Sequence, residues 1–150
     1  MNTDAVEHLV RSLYRLGMVQ RALARHALAE LGSQGFVALG AVHTRGPARI
    51  SDVAEALNVA QSVASRQVAA LESAGYIERT PDPEDGRASL VSATPAGRRV
   101  LAECHRRMVH AFSHALEGWS ETEIEALSGA LERLREDVHR DATAKKGAPA

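Results

Sequence analysis

Apolar residues recur along most of this chain at steps of three and four, the period of helices with one buried face. Near the start Val6, Leu9, Leu13, Leu16 and Leu23 keep that step, which predicts a helix from about Asp4 to Leu31, stopped by Gly32. A short helix from about Ser33 to Thr44 follows and ends at Gly46-Pro47. Ile50, Val53, Ala54 and Leu57 form the next apolar face, with Ser51 placed as N-cap and Asp52 in the first turn against the helix dipole. Asn58-Val59 breaks this helix, because asparagine tolerates the left-handed backbone of a tight helix–helix turn. The helix after it, roughly Gln61 to Ala74, turns Ala64, Val68 and Leu71 inward, and Gly75 closes it.

The pattern then changes. Tyr76-Ile77-Glu78-Arg79-Thr80 reads as a strand, Pro81 to Gly86 as a turn cluster, and Ala88 to Ala93 as the returning strand. Thr94-Pro95 supplies an N-cap and a first-turn proline for a helix that runs to about Glu117 and stops at Gly118. Ser120-x-x-Glu123 is a capping box for the last helix. There Ile124, Leu127, Leu131, Leu134 and Val138 alternate steps of three and four, a coiled-coil-like seam. The expected fold class is mainly α with a small β-hairpin wing (α+β). It is a winged helix-turn-helix over about 46–94, flanked by dimerisation helices at about 4–31 and 95–139, in one domain over 1–140. Residues 141–150, made largely of Ala, Lys, Gly and Pro, are expected to be a disordered tail.

Opposite the inward stripe of the Gln61–Ala74 helix stand Gln61, Ser62, Ser65, Arg66 and Ala69, all small or able to hydrogen-bond. Such a face suits close approach to base edges and phosphates in a major groove. Arg87 sits at the edge of the hairpin turn, two residues after Asp85, whose carboxylate is expected to pre-orient the guanidinium. An arginine so placed can read the width and negative potential of a minor groove.

Three motifs carry a resemblance. They are Ser65-Arg66-x-Val68-x-x-Leu71-Glu72-x-x-Gly75-x-Ile77-x-Arg79, then Asp82-Pro83-x-Asp85-x-Arg87, then Thr94-x-x-Gly97. In spacing and helix order, over nearly its whole length, the chain resembles the MarR family of dimeric winged-helix transcription regulators. The resemblance implies that Gln61, Ser62, Ser65, Arg66 and Gln67 face DNA, that Arg87 reads the minor groove and that Asp85 supports it. It also implies a homodimer that binds double-stranded DNA sequence-specifically at a pseudo-palindromic operator, as a ligand-responsive repressor. The effector would be a small aromatic or lipophilic acid, held where the dimer helices meet the winged part. Tyr14 and His43 are the candidates to orient its polar group, among Phe36, Leu39, Met108 and Phe112. Three positions depart from the family pattern: Ala60 and Val63 stand where hydroxyl residues are common, and Gly86 replaces a frequent second arginine.

Charge limits how such a surface can work. The formal net charge is −1, and across 45–99 seven arginines are matched by seven acidic residues. Attraction to DNA must therefore come from local placement of Arg66 and Arg87, with Arg45, Arg49 and Arg79 as further cations, which implies few phosphate contacts and a modest salt dependence. A lone cysteine excludes an intramolecular disulfide and fits a reducing compartment. The start, MNTDAVEHLVRSL, does not read as a signal peptide, and no stretch approaches the roughly 20 apolar residues of a membrane span, so a cytoplasmic protein is expected.

Seven histidines raise the question of metal. His110-x-x-x-His114 puts two imidazoles on one helical face, with Cys104 and His105 nearby in sequence and His43 at the end of the second helix. The further ligand that zinc-sensing relatives carry would fall at Phe36, so the set is incomplete and no metal or cofactor is assigned. Cys104 shares a stripe with Leu101 and Met108 and is expected to be a core thiol, although Arg106 and Arg107 adjoin it. No glycine-rich phosphate loop, nucleophile elbow or scaffolded carboxylate pair points to an enzyme. The alternatives are a zinc-responsive regulator of the same fold and a winged-helix protein-interaction module that does not bind DNA.

Overall fold

The computed structural model describes residues 3–146; the side chains of Leu23 and of 142–146 lie outside that description. The element order is α1 (Thr3–Ala27), α2 (Gly32–Arg45), α3 (Ile50–Leu57), α4 (Gln61–Ser73), β1 (Ile77–Pro81), β2 (Ser89–Ala93), α5 (Pro95–Ala115) and α6 (Glu121–Lys146). The chain separates into two compact units, Met1–Phe112 and Ser113–Ala150, with the division inside the span expected as one domain.

In the first unit, the main core forms where α2, α3, α4 and the hairpin converge. Leu39 and Val42 from α2, Val53 from α3, Val68 and Leu71 from α4, Ile77 from β1 and Val91 from β2 are buried together. These are the inward positions of the sequence pattern, since burying apolar surface is the dominant favourable term in folding. A smaller cluster joins Ala24, Ala27 and Leu28 to Cys104 on α5, with Phe36, Val100 and Met108 packed around it.

Local chemistry sets the joints. Asn58 adopts the left-handed conformation (φ 51°) and ends α3, with its N–H donating to Glu55 O at 3.0 Å. Gly75, at φ 79°, ends the turn after α4. The Thr94 hydroxyl accepts the Gly97 N–H at 3.0 Å and donates to Gly75 O at 2.7 Å, so one side chain caps α5 and ties it to the end of α4. Gly97 itself is dictated by space, because a Cβ there would stand 2.1 Å from the carbonyl oxygen of Tyr76.

Some joints differ from the pattern-based expectation. Arg49, not Ser51, is the N-cap residue of α3, and the Asp52 carboxylate accepts the Arg49 N–H at 3.2 Å. A residue whose own side chain cannot accept is here replaced by the reciprocal half of a capping box. The hairpin pairs Ile77 with Ala93 through Pro81 with Ser89, and Ala48 adds a one-residue third strand through two backbone hydrogen bonds with Val91, at 3.1 and 2.9 Å. In the second unit the capping box opens α6 as expected: Glu123 accepts the Ser120 N–H at 2.8 Å and returns its own N–H to the Ser120 hydroxyl at 3.3 Å. The helix α6 continues to Lys146, past the expected end near 139, and residues 147–150 of the expected tail lie outside the described residues.

Candidate nucleic-acid interface

The helix α4 turns about 100° per residue, so Ser62, Arg66 and Ala69 project opposite its buried stripe of Ala64, Val68 and Leu71. All three are exposed. Gln61 and Ser65 lie on the flank of α4 that also carries Glu72, and Ser65 is half-buried. Gln67 departs from the expected set: it occupies the other flank, half-buried, and lines a hollow of about 300 Å³ with Gln34, Glu30 and Tyr76. No side chain caps the N-terminus of α4 at Ala60, as the absence of a hydroxyl there requires.

Two aspartates shape the wing. The Asp82 carboxylate accepts the Glu84 N–H at 2.9 Å on one oxygen. On the other it takes the Arg49 guanidinium, through Nε at 2.7 Å and a terminal nitrogen at 2.5 Å. Only 5% exposed, Asp82 is the one buried charged residue among the described residues. The Glu84 N–H, and then Arg49, hold its carboxyl below the usual carboxylate range against the opposing effect of burial. Asp85 accepts the Arg87 N–H at 3.1 Å, a turn closed on the backbone. The expected pairing of Asp85 with the Arg87 guanidinium is not formed, and among the described residues no carboxylate pairs with that guanidinium. The reason is reach: an aspartate two residues before its partner meets the main-chain N–H first. Arg87 therefore stands exposed at the hairpin tip on a turn fixed at its base by Arg49 and Asp82. Sequence spacing does not reveal that clasp, because its partners are 33 residues apart and nothing local connects them.

The effector candidates Tyr14 and His43 line different hollows. Tyr14 is 76% exposed on α1, beside a hollow of about 320 Å³ lined by Val10, Leu13, Gly17 and Arg21. His43 lines a different hollow of about 310 Å³ between α2 and α5, with Phe36, Thr44, Arg98, Leu101 and His105. Leu39 is fully buried in the main core, and Met108 packs against Cys104.

The remaining candidate chemistry resolves into local contacts. His114 Nδ1 is 2.7 Å from Glu117, and no group of three or more metal-ligating side chains converges among the described residues. The Cys104 thiol is fully buried, and burial together with the Glu30 carboxylate pushes it above its ordinary value. Arg107 opposes that rise without outweighing it. It grips both oxygens of Glu30 at 2.7 and 2.9 Å and also Glu103 at 3.0 Å, while Arg106 pairs with Glu103. No helix among the described residues is long and apolar enough to cross a membrane.

An outward polar helix, a tight left-handed turn before it and an arginine-tipped hairpin after it define a winged helix-turn-helix protein. The pattern of the MarR family matches residues 31–89, which span the core of that unit. The chain belongs to the MarR family. It is 37% identical over 89 residues to the uncharacterised HTH-type transcriptional regulator YxaD of Bacillus subtilis, covering 59% of this chain and 62% of that protein, less than two thirds of its length. A probable transcriptional regulator of known structure from Pseudomonas aeruginosa is 30% identical, with a TM-score of 0.71 over 81% of this chain and 92% of that one. The fold is also that of a mutant MarR from E. coli complexed with operator DNA, at 20% identity and a TM-score of 0.75 over 89% of this chain and 98% of that one. Family and fold are those of transcriptional regulators, not enzymes.

Proposed function

We propose that this chain is a sequence-specific double-stranded DNA-binding regulator of transcription in the cytoplasm, acting as a homodimeric repressor on a pseudo-palindromic operator and released by a small-molecule effector. The observation that carries the reading is the joint placement of Ser62 and Arg66 on the outward face of α4 and of Arg87 at the tip of a braced wing. A helix of that character reads a major groove, and an arginine on a hairpin reads the adjacent minor groove. Similarity in fold to the E. coli MarR–operator complex supports the same docking.

Dimerisation is supported by apolar surface that a single chain leaves bare. Val6, Leu9, Leu13 and Leu16 of α1 are 37–46% exposed, and Ile124, Leu127, Leu131 and Val138 of α6 are 36–61% exposed. Effector control is supported by the hollow between α2 and α5, at the small end of the roughly 300–1,000 Å³ typical of ligand sites. Its apolar walls of Phe36 and Leu101 beside Arg98, His43 and His105 suit a small aromatic acid. Such a ligand acts by binding one dimer shape better than the other.

The test is selection of duplexes from a random pool by the purified protein at a stated moderate salt. An inverted repeat with half-site centres about ten base pairs apart is expected. A pool left unselected by a folded dimer, with and without zinc, would turn the reading towards a protein-interaction module.

A further inference from the structure

The wing base and the start of α4 enclose a cleft of about 250 Å³. Its lining side chains with polar groups are Arg49, Ser51, Gln61, Arg79 and Ser89, and the rest is Ile50 and Ala88. Each of the five can donate hydrogen bonds, and no carboxylate lines the cleft. Both guanidiniums are held by carboxylates that do not line the cleft. Asp82 grips Arg49 through Nε and one terminal nitrogen, and Glu72 takes Arg79 Nε at 2.8 Å. A guanidinium has five N–H donors, so each keeps donors beyond those contacts. The arrangement suits a tetrahedral oxyanion, which accepts several charge-assisted hydrogen bonds and which arginine matches in geometry.

We propose that this cleft seats one phosphodiester of the DNA backbone, gripped by Arg49 and Arg79, with Asp82 as the positioning residue that aims Arg49. This rests on the DNA-binding reading above. The location selects the diester: the cleft lies between the helix that would enter the major groove and the wing that would enter the minor groove, and a strand passing from one groove to the next must cross it. The contact supplies one of the few phosphate anchors that a chain with balanced charge needs.

The experiment uses the duplex recovered by selection, the full-length protein, and the variants Arg79→Gln and Arg49→Gln. Single backbone phosphates are replaced in turn by neutral methylphosphonates. Wild type is expected to lose on the order of tenfold in affinity at one backbone position per half-site, and both variants to be indifferent to neutralisation there. The slope of log affinity against log salt should fall by about 0.9 per contact removed, and the preferred sequence should not change. Arg79→Gln leaves the Arg49–Asp82 clasp in place, so its result stands even if Arg49→Gln loosens the wing. Variants that weaken binding yet remain as sensitive as wild type at every phosphate would overturn the assignment, because the arginines would then act only on the fold. Inorganic phosphate, at ionic strength matched with chloride, should compete only weakly for the same cleft. Inhibition by phosphate that disappears in Arg79→Gln, with no methylphosphonate-sensitive position on the duplex, would make this a free-phosphate site and overturn the diester. A wild type that binds no duplex at all would overturn the DNA-binding reading itself and this proposal with it.

Discussion

Gly97 is the residue at which the structure tolerates least. Its Cα lies against the Tyr76 carbonyl, and a methyl group would stand 2.1 Å from that oxygen and 3.0 Å from the carbonyl carbon. Gly97→Ala is expected to destabilise the protein by about 3 kcal/mol, read as a lower urea midpoint. Gly129→Ala is the matched control: nothing lies within 4 Å of a Cβ there, and replacing glycine inside α6 should be stabilising by roughly 0.5–1 kcal/mol. Asp82 carries a pH signature. Its folded carboxyl is depressed below the ordinary value, so its stabilisation is present above that value and is lost as pH falls through the folded pKa. Asp82→Asn should therefore lower the urea midpoint at pH 7, with the gap to wild type narrowing below about pH 4. A gap equal at both pH values would mean that Asp82 acts by packing and not by charge. Of these two residues the sequence motif marked both, yet it gave a physical reason for neither. Gly97 needs its neighbour across 21 residues and Asp82 needs Arg49, and such distances leave no local trace.

At the scale of elements, what was legible was what neighbours in sequence decide. Asn58, Thr94 with Pro95, and Ser120 with Glu123 satisfy helix ends through residues within four positions, and all three joints form as the residue types require. The helix α4 was readable in extent and in its buried stripe, but not in the division of its polar side. Whether Gln67 faces solvent or the α1–α2 corner depends on what packs beside that flank. The wing was readable as a hairpin, whereas the Ala48 bridge was not, because one residue of strand carries no alternation to detect. The missing cap of α4 gives the prediction that belongs here. Ala60 already has the extended backbone of an N-cap, φ −64° and ψ 146°, but no side-chain acceptor. Ala60→Ser should raise stability by about 1 kcal/mol, since the hydroxyl can take a first-turn N–H without backbone movement. No change in the urea midpoint would mean that those amides are already satisfied by water at no net disadvantage.

The whole molecule is where a single chain leaves its largest question, because two long helices each carry an apolar stripe with most of its described residues exposed. A stripe of Leu127 and Leu131 at 40–42% exposure is unfavourable in water, and the alternating step of α6 is the one that meshes helix with helix. If α6 is a seam between two copies, an aspartate in the middle of it must desolvate a charge to assemble. Leu131→Asp should then sediment as a monomer at concentrations where wild type is a dimer, and its helix content should not change. The DNA consequence follows from geometry. Two linked heads reach an inverted repeat with an advantage of roughly 10²–10⁴ over one head, so the monomeric variant should lose about that factor on the full repeat. On an isolated half-site it should bind as wild type does, because α4 and the wing lie in the other compact unit. A Leu131→Asp protein that remains a dimer would shift the assembly surface to α1, where Leu13→Asp is the corresponding substitution. A protein that becomes monomeric yet keeps full affinity for the repeat would instead remove the two-fold operator from the mechanism.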